Sequence, residues 1–146
     1  MFITYALGLV LDYDTETAGS VINRVWAALE TDPVMKKKIS KAAAVEGSNA
    51  DRLEKAFREL TGFPLLPNPL AYAQGFAGGV AAAMIPSKRI TALFDSGLLD
   101  RVVEIYWGLK RDYGDERGRE LFQTMIDTHK AEFAMFKTKR HLRRVA

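Results

Sequence analysis

Residues 32–62 read DPVMKKKISKAAAVEGSNADRLEKAFRELTG, and their punctuation sets the fold class. Asp32-Pro33 supplies an N-cap followed by proline at the first helical position, where a missing N–H does no harm. From there the spacing predicts a helix to Gly47. Ser48-Asn49-Ala50-Asp51 has the form of a capping box, and Ala50, Leu53, Phe57 and Leu60 then recur on one face until Gly62. Upstream, Asp14-Thr15 can cap a helix reaching about Glu30, with Val21, Ile22, Val25, Trp26 and Leu29 on one side. The expectation is three short amphipathic helices in succession.

The same grammar continues to the C-terminus. Thr61 to Ser87 is a run of 27 residues without a charge. Phe63 to Pro69 is a proline-broken loop, and Asn68-Pro69 repeats the cap-then-proline signal. Leu70 to Ile85 reads as a helix rich in Ala and Gly, closed by Pro86. Ser87 can cap a short helix ending near Gly97. Leu98, Leu99, Val102, Val103, Tyr106 and Leu109 line the next helix, which stops at Tyr113-Gly114.

Asp115 begins the last and longest helix, expected to reach about Arg143. Phe122, Ile126, His129, Phe133 and Phe136 form a seam on it at spacings of four and three. Its length would be about 43 Å. A compact chain of this size has a diameter of about 38 Å, so the helix end is expected to project. The apolar segment 1–11 has strand-like content, but an otherwise helical chain offers it no second strand. It is either helical and buried, the preferred reading, or pairs with another chain by β-addition.

Composition bounds the rest. At 146 residues and 16.3 kDa the size prior is one domain. The reading is therefore a single all-α domain over 1–146, of six or seven helices with a long C-terminal helix, and 137–146 as a basic C-terminal extension. The absence of cysteine excludes disulfides, thiolate metal sites and a cysteine nucleophile together. The last ten residues, KTKRHLRRVA, carry +5 of a net +3, which leaves the rest of the chain at −2. Such a distribution differs from that of a protein that binds nucleic acid over its whole surface. The N-terminus lacks the basic region of a secretory signal, so a cytoplasmic or intravirion location is expected.

Motifs for catalysis fail one by one. Gly75-Phe76-Ala77-Gly78-Gly79 is followed by Val80-Ala81, not by the Lys and Ser or Thr of a phosphate loop. No G-x-S-x-G elbow occurs, and neither His stands in an E-x-x-H or H-E-x-x-H spacing. Asp127 and His129 are two apart and face different sides of a helix; Glu132 reaches His129 at i,i+3, a common surface pair. His129 itself reads as a buried-edge histidine with one ring nitrogen bonded to a neighbour. No catalytic residue, metal ligand or cofactor is expected, although dispersed carboxylates that meet only in space stay open.

Binding features are more numerous. Gly75 and Gly79 make a G-x-x-x-G step, and Ala71, Gly78 and Ala82 extend the small-residue surface that lets helices approach closely. At sixteen residues, 70–85 is short for a bilayer, which favours packing in a core or interface over insertion. Lys36, Lys37 and Lys38 sit in the first turns of a helix, where the macrodipole disfavours cations and attracts anions. They form either an anion site or a solvated basic face. Lys139, Arg140, Arg143 and Arg144 in the tail would meet an anionic partner.

The sequence therefore reads as a non-catalytic structural or assembly subunit of a larger complex, such as a virus or phage particle. Gly75, Gly78, Gly79, Phe133 and Phe136 would contact other protein chains. One alternative is a nucleic-acid-binding module using the tail and Lys36–Lys38. Another is a membrane-associated helical protein touching lipid through 61–87.

Overall fold

The computed structural model describes residues 2–66, 68–113 and 115–138. Among these the chain is all-α, with six helices and no strand. They are α1 (Phe2–Leu29), α2 (Pro33–Thr61), α3 (Pro69–Ala83), α4 (Ser87–Asp95), α5 (Leu98–Tyr113) and α6 (Glu116–Phe136). The helices sort into two compact units, residues 1–84 and residues 85–146.

In the first unit α1 is the shared helix. It runs antiparallel to α2: only three residues separate Leu29 from Pro33, and Ser20 Oγ donates to the Ala43 carbonyl at 3.0 Å about equally far from that turn on each helix. It runs parallel to α3, with Asn68 beside Asp14, Gly75 beside Val21 and Gly79 beside Val25. Both cap-then-proline signals start helices. Asp32 Oδ1 accepts from Val34 N at 2.8 Å, and Asn68 Oδ1 from Leu70 N at 3.0 Å.

Two expected boundaries do not form. Residues 2–11 are helical, and α1 runs straight through Asp14-Thr15 for 28 residues, about 42 Å. Its cap-type side chains have other partners: Thr15 Oγ1 donates to the Leu11 carbonyl, and Asp14 accepts from Asn68. Likewise α2 passes through Gly47-Ser48, giving one 29-residue helix where two were expected. Gly47 lies against Ser20 and Arg24 of α1, where a Cβ would already be in contact. Burial of Ala42, Ala43, Asn49, Ala50 and Leu53 on either side of it outweighs the glycine's weak helix preference.

In the second unit α5 and α6 form an antiparallel pair. Lys130 of α6 pairs with Glu104 of α5, and Arg111 of α5 donates to Gln123 of α6 at 2.7 Å. Between α4 and α5 the chain turns at Gly97, whose φ of 70° is left-handed and suits glycine. Helix α4 lays Phe94 on Phe133 and Phe136, with ring centroids 5.4 and 4.6 Å away. Helix α6 starts at its expected cap, Asp115, but ends at Phe136, not near Arg143. Its 21 residues span about 31 Å, shorter than α1 and α2. Lys137 is already extended, and its ammonium bridges both oxygens of Asp100 at 2.9 and 2.8 Å. Thr138 N adds a bond to Asp95 at 2.9 Å, so the first residues of the basic extension are tied to their own unit.

Candidate functional site

Two helix faces break the usual rule of apolar inside and polar outside. The first is in α1. Leu9, Asp12, Glu16, Ser20, Asn23 and Ala27 are all buried, and their spacing of three or four keeps them on one side. The centre of that buried stripe is polar. Asn49 of α2 is wholly buried as well, and accepts from Arg52 Nη1 at 2.8 Å. Gly19 makes room for the Glu46 carboxylate: a Cβ there would stand 3.0 Å from its Cδ. The carboxylates of Glu16 and Glu46 bring oxygens within 4.8 Å of each other.

Two carboxylates so close, one of them buried, require a shared proton, a cation or convergent donors. As metal ligands they would supply two of the six or more oxygens that a hard divalent cation takes. The first unit by itself thus presents a carboxylate pair and not a finished metal centre. Nearby, burial pushes the Tyr13 hydroxyl above its ordinary pKa, a hydrogen bond with Thr17 opposes this, and Tyr72, Glu54 and Asp14 add to the rise. That phenol stays protonated at neutral pH.

The second unit buries a polar pair of its own on α6. His129 and Glu132 share its inner face. His129 Nδ1 lies 2.8 Å from the Met125 carbonyl. A carbonyl only accepts, so the proton of that bond sits on Nδ1. Trp107 and Phe133 flank the ring at centroid distances of 6.0 and 5.9 Å. Asp127, by contrast, is exposed and accepts from Gln123.

The second irregular face is the outside of α5. Val103 and Trp107 turn inward, and Trp107 stacks on Phe122 of α6 at 5.9 Å. Leu98, Val102, Ile105 and Leu109 turn outward and are 54%, 52%, 64% and 56% exposed. They recur at four, three and four residues, the spacing of a helix–helix seam. Tyr106 beside them is exposed too, with Lys110 over its ring at 4.2 Å. Leucine, valine and isoleucine in unbroken register, facing water, form a continuous apolar stripe along α5.

The residues expected to meet partners are placed differently. Gly75 and Gly79 are buried against α1, where a Cβ would come within 2.6 Å of Val21 and Val25 Cβ, and Gly78 lies over Ile22. Their close approach is made inside the chain. Phe133 and Phe136 are likewise buried in their own unit under Phe94. Lys36 and Lys37 are exposed and Lys38 half-buried at the start of α2. Lys139, Arg140, Arg143 and Arg144 lie outside the described residues. Within 61–87, α3 exposes Leu70, Tyr72 and Phe76 on its free side, but no described helix is long and apolar enough to cross a membrane.

Sequence reasoning missed the polar stripe of α1, because acids and hydroxyls at helical spacing read as a solvent face. The available signal was that Leu9 and Ala27 continue the same stripe at both ends. Comparison with known protein families, with curated proteins and with solved structures returns no match for this chain.

Proposed function

We propose that this chain is a non-catalytic association subunit that works by docking the outer face of α5 onto another protein surface. The observation that carries the reading is the seam Leu98, Val102, Ile105 and Leu109, each more than half exposed. A helix whose inner side already packs on α6 has no need of a second apolar side for its own fold. Covering such a side chain is worth about 1.5–3 kcal/mol when complete, and that gain is realised only on association.

The test is the native mass of the protein taken gently from its source, for the wild type and for Ile105→Glu. Association predicts a wild-type mass above the 16.3 kDa of one chain and a lower mass for the variant. A wild type that runs as a single chain, or equal masses for the two proteins, would overturn the reading.

A further inference from the structure

We infer that the surface covering α5 is the α5 of a second copy of this chain, a conclusion that rests on the association reading above. Three features of the face fit a copy of itself. First, the stripe from Leu98 to Leu109 holds no charge, so two copies meet no like charge at the centre of the contact. A two-fold pairing repeats every contact, and cyclic dimers are the commonest closed assembly.

Second, the borders carry both signs. Arg101 and Asp112 flank one side of the seam, and Lys110 lies towards the other beside Tyr106. In an antiparallel two-fold pairing each border meets its own copy, with Arg101 and Asp112 of both chains along one edge and Lys110 and Tyr106 of both along the other. A net charge of only +3 gives little long-range repulsion between copies.

Third, the area is sufficient but small. Leu98, Val102, Ile105, Tyr106 and Leu109 present roughly 500 Å² per copy, so a symmetric contact buries on the order of 1,000 Å² in total, at the lower bound for a specific interface. The dimer is accordingly weak and concentration-dependent, with a dissociation constant of roughly micromolar or above.

Sedimentation of the purified chain tests this directly. Between about 1 μM and about 200 μM the mass should rise from one chain towards two. Ile105→Glu should weaken the dimer by about 100-fold, because it buries an unpaired carboxylate. Val34→Glu, at an equally exposed apolar position on α2, should leave it unchanged.

Because the chain has no cysteine, the double variant Val102→Cys with Ile105→Cys adds a specific probe. In either helix orientation it should form an intermolecular disulfide on mild oxidation, whereas Val34→Cys should not. A purified chain that stays a monomer throughout overturns the inference. If the source protein nonetheless contains other chains, the association reading survives. If it too is a lone chain, both fall. A dimer untouched by Ile105→Glu overturns the inference and places self-association elsewhere.

Discussion

Helix α1 buries Asp12, Glu16, Ser20 and Asn23 along one side, whereas α5 leaves Leu98, Val102, Ile105 and Leu109 in water. Each has the wrong chemistry on one face, and the two errors differ in where they are settled. A buried polar group has lost its water and must find partners as the chain folds. An exposed apolar face keeps its unfavourable hydration until another surface covers it. Changes in α1 and its neighbours should therefore act on stability. Changes on the outside of α5 should act on assembly state and leave the fold alone.

The largest effect should come from Gly79→Leu, which asks whether α1 can serve α2 and α3 at once. Its Cβ would stand 2.6 Å from Val25 Cβ and 2.7 Å from the Ile22 carbonyl, and backbone cannot move aside. A loss of about 3 kcal/mol or more is expected, read as a fall in the urea midpoint of tryptophan fluorescence in a Trp107→Phe background, where Trp26 of α1 is the reporter. An unchanged midpoint would mean that the glycine contact does not hold α3.

Asn49→Leu comes next. It keeps the branched shape with larger, apolar atoms at a wholly buried position and takes away the acceptor of Arg52. A loss of about 2 kcal/mol is expected in the same measurement. A stabilised variant would show that the polar stripe is a burden on the fold, and would leave α1 with no structural reason for it. Ser20→Ala removes one bond, to the Ala43 carbonyl, and should cost about 1 kcal/mol.

On α5 the expectation reverses. Ile105→Glu should change the stability of the dilute monomer by less than about 0.5 kcal/mol, since most of its side chain already faces water. A large loss of stability there would erase the contrast with α1. The smallest effect concerns the end of the same helix. A hydrogen bond from Arg111, with its charge, holds the exposed Asp112 carboxyl below the ordinary aspartate range. A carboxyl with a depressed folded pKa contributes stability above its unfolded value of about 4, and loses it as pH falls through the folded value. Asp112→Asn should therefore lower the midpoint slightly at neutral pH, where that contribution is present, and converge with the wild type in acid, which flattens the acid side of a midpoint-versus-pH curve.

Much of this architecture was legible before any coordinates. Asp32, Asn68 and Asp115 each begin the helix that their side chains announce, because capping is a local bond between neighbours. What local signals could not show is whether a break is used. Gly47-Ser48 looks like a terminus, but α2 is buried on both sides of it, at Ala42 and Ala43 before and at Asn49, Ala50 and Leu53 after, and that packing carries the helix through. The lysine-rich end misled in the other direction: charge there favours a helix terminus without saying where it falls, and Lys137 leaves the helix to reach Asp100.

Direction was the harder problem. Val103 and Trp107 on one side of α5, and Val102 and Ile105 on the other, are equally apolar. Periodicity therefore identified the helix without saying which side is core. In α1 the side made by Val21, Ile22 and Val25 read as the inner face and does receive α3. That a second, polar side would also be buried required knowing that α2 returns along it.

The bond between Asn68 and Asp14 joins residues 54 apart in the chain, whereas Ser20 and Ala43 are separated by 23. Parallel seating of α3 on α1 is possible only after the intervening helix has carried the chain back to its starting end. Distant contacts form late because a long loop must close before they return any energy. During synthesis, α1 and α2 can pair while α3 is still being made, and Ala18 and Val21 wait uncovered for Gly75. The order of folding is thus written into a direction of packing: the hairpin first, and the glycine helix as the piece that locks it.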